Sequence, residues 1–75
     1  MAEHLIDALG EMCPIPNMML REKLKEVAVG DIVILETDHF CAKQILETEM
    51  RRMGHRVTAK QVMPGVWQVA VRKVR

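Results

Sequence analysis

Two prolines one residue apart, Pro14 and Pro16, follow directly on Cys13 and open a stretch of helical periodicity. They fix where that helix must begin. The proline ring sets φ near the helical value and removes an N–H that lacks a partner in the first turn, so the pair belongs at a helix start. Cys13 then reads as the N-cap, Pro14 as the first helical residue and Pro16 as the third. An N-cap side chain accepts from the N–H of the second or third helical residue. Pro16 has none, which leaves the Ile15 N–H as the near donor to the sulfur. A thiol at the positive end of a helix dipole has a stabilised anion, and Cys13 is expected to ionise below its ordinary value. A free cysteine is usually small buried filler. The proline frame and the polar Asp7, Gly10 and Glu11 favour a nucleophile here.

Around this point the chain divides into six elements. Leu5 to Leu9 reads as a strand that ends at Gly10, and Pro14 to Val27 as a helix. In that helix Met19 or Leu20, Leu24 and Val27 mark the buried face, opposite Arg21, Glu22, Lys25 and Glu26. Gly30-Asp31 breaks the chain before Ile32 to Thr37, a strand apolar on both faces and therefore expected at the centre of a sheet. Asp38 is the expected N-cap of a second helix, with Cys41 serving if the helix starts later. Ala42, Ile45, Leu46, Met50 and Met53 recur there at helical spacing, Glu47 and Arg51 form an i,i+4 pair, and Gly54 suits the residue after the helix. A hairpin closes the chain: His55 to Val62, a turn at Met63-Pro64-Gly65, then Val66 to Lys73. Trp67, Val69 and Val71 of its last strand alternate toward the core.

The order β-α-β-α-β-β predicts an α+β two-layer sandwich. It comprises a four-stranded mixed sheet, its first two strands parallel through a right-handed crossover, with both helices on one face and the other face bare. Loops after parallel strands share one edge of a sheet. Cys13, Asp38, His39, Cys41 and the Met63-Pro64-Gly65 turn should therefore gather at one edge, with His4 and His55 at the other.

At 75 residues the chain is expected to form one domain, residues 1–75, near the lower size limit for a single core. No apolar run approaches a membrane span, so no membrane role is expected. The N-terminus has neither a basic segment nor an apolar signal core. Two cysteines without metal-ligand spacing fit a reduced cytoplasmic setting with no metal and no cofactor. A net charge of +1, one Phe, one Trp and no Tyr disfavour direct nucleic-acid binding. Met18, Met19, Met50 and Met53 read as core filler rather than copper ligands.

The run Asp7-Ala8-Leu9-Gly10-Glu11-Met12-Cys13-Pro14-Ile15-Pro16 resembles the hallmark of the TusA/SirA-like sulfur-carrier family, an Asp-x-x-Gly segment followed by Cys-Pro-x-Pro. Met18-Met19 with basic Arg21, Gly30-Asp31, Thr37-Asp38, Gly54-His55 and Val71-Arg72-Lys73 extend the resemblance over nearly the whole chain. The resemblance implies the βαβαββ sandwich. It also implies a persulfide carried on Cys13, with Gly10, Pro14, Ile15 and Pro16 as the motif that positions the sulfur. The implied partners are a cysteine desulfurase or rhodanese-like donor and a sulfur-acceptor protein. The implied destinations are transfer-RNA thiolation, cofactor maturation or sulfur oxidation.

Cys41 lies outside the motif and is a candidate second thiol to resolve a Cys13 persulfide or disulfide, with a small buried residue as the plainer reading. Strand and helix spacings allow a direct Cys13–Cys41 disulfide without predicting one. Asp38 is expected to cap, or else to orient a loop or a partner, and His39 to be solvated, or else to tune the sulfur. Arg21 and Lys25 share one helix face and are candidates for an acidic partner. Besides a sulfur carrier, two classes of function stay open. One is a two-thiol redox protein using Cys13 and Cys41, against which the lack of a Cys-x-x-Cys pair counts. The other is a non-catalytic regulatory or RNA-binding module, since the same architecture occurs in a translation initiation factor domain.

Overall fold

In the computed structural model, which describes residues 2–75, six elements follow in chain order. They are β1 (Glu3–Asp7), α1 (Ile15–Glu26), β2 (Ile32–Thr37), α2 (Phe40–Arg52), β3 (Arg56–Met63) and β4 (Val66–Arg72). The sheet order is β1-β2-β4-β3, with β1 and β2 parallel and the other pairings antiparallel. This is the α+β sandwich expected, and β2 lies inside the sheet as its two-sided apolarity predicts.

Alternation along the strands builds the core. Ile6, Leu35, Val69 and Ala59 form one row across the sheet through direct register partners, and Val33, Val71 and Val57 form the next. Onto these rows α1 lays Leu20 and Leu24, and α2 lays Leu46 and Met50. Each fully buried Leu contributes about 1.5–3 kcal/mol through apolar area removed from water. Leu5, Ile34 and Ala70 lie in one row on the opposite face, where Leu5 is 77% exposed, so that face is bare as expected. Trp67 is half-buried, its ring edge-on to Phe40 at 5.5 Å, which fastens the first turn of α2 to the start of β4.

Element ends shift by one or two residues, for identifiable reasons. β1 stops at Asp7 rather than Leu9, because the chain turns where the Glu11 N–H bonds to the Ala8 carbonyl at 3.1 Å. Gly10 takes φ +82° in that turn, a conformation that L side chains rarely adopt. Gly54 ends α2 as expected: its N–H reaches the Arg51 carbonyl and the His55 N–H reaches the Met50 carbonyl, a Schellman closure. His55 is thereby committed to the helix end, and β3 begins at Arg56. Ile45 and Met53, expected on the buried stripe of α2, are 37% and 40% exposed; the true stripe is Ala42, Leu46 and Met50.

Candidate functional site

The loops after β1 and β2 meet at one edge of the sheet. The Asp38 Oδ1 accepts the Gly10 N–H at 3.0 Å, binding the two loops together. Beside this tie the Cys13 and Cys41 sulfurs stand 3.8 Å apart as free thiols, Cys13 half-buried and Cys41 exposed. The plainer reading of Cys41 as a buried residue is thus incorrect, because position two of α2 faces the mouth of the site rather than the sheet. The edge assembled from sequence is therefore observed for Cys13, Asp38, His39 and Cys41. His4 and His55 stand away from it, against Asp31 and the Val74 N–H respectively.

The local frame of Cys13 differs from the expectation by one residue. Pro14 is the N-cap of α1, Ile15 its first residue and Pro16 its second, and the Cys13–Pro14 peptide bond is cis. The Ile15 N–H bonds to the Met12 carbonyl at 2.8 Å and is not the donor to the sulfur. The thiol of Cys13 is pushed up from its ordinary value, first by burial and then by the hydrogen bond and charge of Cys41, while its own backbone N–H pulls the other way. The expectation of a lowered value is corrected by these neighbours: burial and the Cys41 thiol at 3.8 Å outweigh the backbone N–H of Cys13.

Asp38 is not the N-cap of α2; His39 holds that position, with no side-chain cap. Asp38 is turned outward to Gly10 and to the His39 Nδ1 at 3.0 Å. Its carboxyl is held below the ordinary range chiefly by the Gly10 N–H, with burial opposing. The His39 N–H instead reaches the Thr37 Oγ1 at 3.2 Å.

A groove of ≈ 310 Å³ opens beside Cys13 between the two helices, lined by Cys13, Pro14, Asn17, Met18, Arg21, Ile45 and Glu49. Glu49 bridges the helices across it, accepting the Asn17 Nδ2 at 2.7 Å and the Arg21 guanidinium at 3.3 Å. Asn17 is buried, and its Oδ1 has no partner among the described residues. Sequence reading passed over Asn17 and Glu49. The available signal was the four-residue spacing of Asn17 and Arg21, which puts both on one face of α1.

Arg21 and Lys25 do share a face, but not a state. Arg21 is paired with Glu49, whereas Lys25 reaches Glu22 of its own helix at 3.2 Å. Both also line a wider groove of ≈ 560 Å³ with Met53, His55 and Lys73. Lys73 is occupied there, its Nζ donating to the Leu24 and Val27 carbonyls at the end of α1. Among the described residues no cluster of three or more His, Cys, Asp or Glu could hold a metal ion, and no helix is long and apolar enough to cross a membrane.

Chemically, the edge presents a reachable sulfur nucleophile with a second thiol in contact and an open groove alongside. Residues 4–73 match the model of the family described as Sulfurtransferase TusA. A curated Archaeoglobus fulgidus protein named "Putative sulfur carrier protein" is 33% identical over 72 residues, covering 95% of this chain and 97% of that protein. The crystal structure of a SirA-like protein from Desulfitobacterium hafniense superposes with a TM-score of 0.86 at 29% identity, covering all of both chains.

Proposed function

Because this chain belongs to the sulfurtransferase TusA family, whose role as sulfur carriers extends to it, we propose that Cys13 carries the sulfur as a persulfide. The observation that carries this reading is the position of the Cys13 thiol, half-exposed at the rim of an open groove and ahead of the first turn of α1. A carrier needs one nucleophilic sulfur that two different proteins reach in turn. The Cys13 thiolate attacks the outer sulfur of a donor persulfide and the donor thiolate leaves. Cys13 then holds S–SH until an acceptor thiol takes the outer sulfur. Gly10, Pro14, Ile15 and Pro16 position the sulfur through the turn and the helix start.

The donor is a cysteine desulfurase or rhodanese-like protein and the acceptor a further sulfur-handling protein. The transferred sulfur serves transfer-RNA thiolation, cofactor maturation or sulfur metabolism in the cytoplasm. Arg21 and Lys25, which both line the wider groove, offer the donor a basic face. Incubation with a cysteine desulfurase and cysteine tests the reading. Intact mass of Cys41→Ser should rise by one sulfur atom, the gain should disappear with dithiothreitol, and Cys13→Ser should take up none. The Cys13–Cys41 contact favours a second reading, a two-thiol redox protein. It predicts loss of two hydrogen atoms on oxidation and no sulfur gain in Cys41→Ser.

A further inference from the structure

Carriage on a single cysteine leaves the second thiol at the site without a part. Cys41 Sγ touches Cys13 Sγ at 3.8 Å, and it does so from the exposed first turn of α2. The Asp38–Gly10 bond holds together the loops that carry both residues. We propose that Cys41 is a resolving thiol, which attacks the inner sulfur of a Cys13 persulfide, closes a Cys13–Cys41 disulfide and expels hydrosulfide. The inference rests on the persulfide reading of Cys13, and it adds a discharge route for a sulfur that no acceptor has claimed.

The step balances without an outside oxidant. The Cys41 thiol gives its proton to the outer sulfur of the persulfide anion. The resulting thiolate forms a bond to Cys13 Sγ, the bond between Cys13 Sγ and the outer sulfur breaks, and that sulfur leaves with the electron pair as hydrosulfide. The Cys41 sulfur is oxidised as the carried sulfur is reduced to sulfide, while the Cys13 sulfur exchanges one sulfur–sulfur bond for another. A dithiol then returns the pair to two thiols.

Two features select the inner sulfur. Cys41 Sγ is already in contact with Cys13 Sγ, the atom that becomes the inner sulfur, whereas the outer sulfur extends beyond it. Exchange is also faster when the more acidic thiol leaves. Attack on the outer sulfur would expel the Cys13 thiolate, whose thiol is pushed up by burial and by Cys41.

Loading with glutathione persulfide, followed by desalting, tests this by intact mass and by sulfide release in wild type and Cys41→Ser. In the variant the extra sulfur should persist on Cys13. In the wild type it should disappear roughly a hundredfold faster, as an intramolecular reaction allows, at a rate independent of protein concentration. The product should be lighter than the reduced chain by two hydrogen atoms, with one hydrosulfide released per chain and a Cys13–Cys41 linked peptide. Equal persistence in both forms overturns the inference, as does migration of the sulfur to Cys41; both leave the carrier reading standing. If Cys41→Ser acquires no sulfur on Cys13, the carrier reading fails and the inference falls with it.

Discussion

The Asp38 carboxylate accepts the Gly10 N–H at 3.0 Å across 28 positions of sequence, joining the loop after β1 to the loop after β2 at the edge where both thiols stand. The bond is possible because Gly10 adopts φ +82°, which turns its N–H toward Asp38 rather than along the strand. Since the Gly10 N–H holds the Asp38 carboxyl below its ordinary 3.8, folding is favoured while that group is ionised. The contribution is complete above the unfolded value and is lost as pH falls through the lower folded value. Asp38→Ala should therefore lower Tm by a few degrees at neutral pH, and the gap to wild type should close in strong acid. A gap that is constant with pH would show that the carboxylate charge is not involved.

A second titration lies at the far edge. His55 is buried, and its Nδ1 accepts the Val74 N–H at 3.1 Å, so it must be neutral at that atom. Burial first, then Lys73 and Arg75, push its pKa below 6.5. The unfolded chain thus takes up this proton at higher pH than the folded one does. Stability should decline as pH falls from about 6.5 through the folded value and level off below it. His55→Gln should remove that part of the slope. Urea midpoints at a series of pH values check it; an unchanged slope would place the effect elsewhere.

Pro16 is fully buried at the second position of α1. Pro16→Ala removes two packed methylene groups and restores an N–H in a turn where such groups lack helical partners. A loss of about 1–2 kcal/mol is expected, with the fold retained. Equilibrium urea unfolding measures it. A neutral or stabilising change would mean that the ring serves the thiol and not the core.

Legibility from sequence followed the range of the forces involved. β2, the Gly54 helix end and the Val69–Val71 core face depend on local periodicity or a single backbone preference, and all three were readable. Pro14 and Pro16 fit a helix start in two registers one residue apart, since proline suits more than one position of the first turn, so the cap was misplaced. The contact between Cys13 and Cys41 depends on how α1 and α2 lie over the sheet, which strand and helix spacings bound only to several ångströms. The same limit hid the Glu49 bridge to Asn17 and Arg21.

Docking of the donor should be sensitive to charge on the exposed face of α1. Lys25→Glu is the cleaner probe, because Lys25 pairs with Glu22 of its own helix and does not line the groove beside Cys13. Arg21→Glu also sets a carboxylate against Glu49 and loosens the bridge between the helices. Both substitutions should slow sulfur loading from a desulfurase at low salt, and the Lys25→Glu deficit should fade as salt rises. Loading from glutathione persulfide should be unaffected by Lys25→Glu. Unchanged desulfurase loading at low salt would remove this face from the docking site.

The contact between the thiols also determines their order of reaction. Cys13 is half-buried and donates its S–H to the Cys41 sulfur, while Cys41 is exposed in the first turn of α2. The S–H contact favours the form in which Cys13 keeps its proton. Limiting iodoacetamide near neutral pH should therefore label Cys41 before Cys13, the reverse of what the helix start alone would suggest. Removing Cys41 should change the reactivity of Cys13 in a defined direction. Of the influences raising the Cys13 thiol, Cys41→Ala eliminates the hydrogen bond and the charge and leaves burial, the largest. The pH midpoint for alkylation of Cys13 should fall in this variant, and labelling near neutral pH should quicken correspondingly. Mass-mapped alkylation rates across pH decide it. A midpoint unchanged by Cys41→Ala would mean that burial alone governs the Cys13 thiol and that the sulfur contact carries no weight in solution.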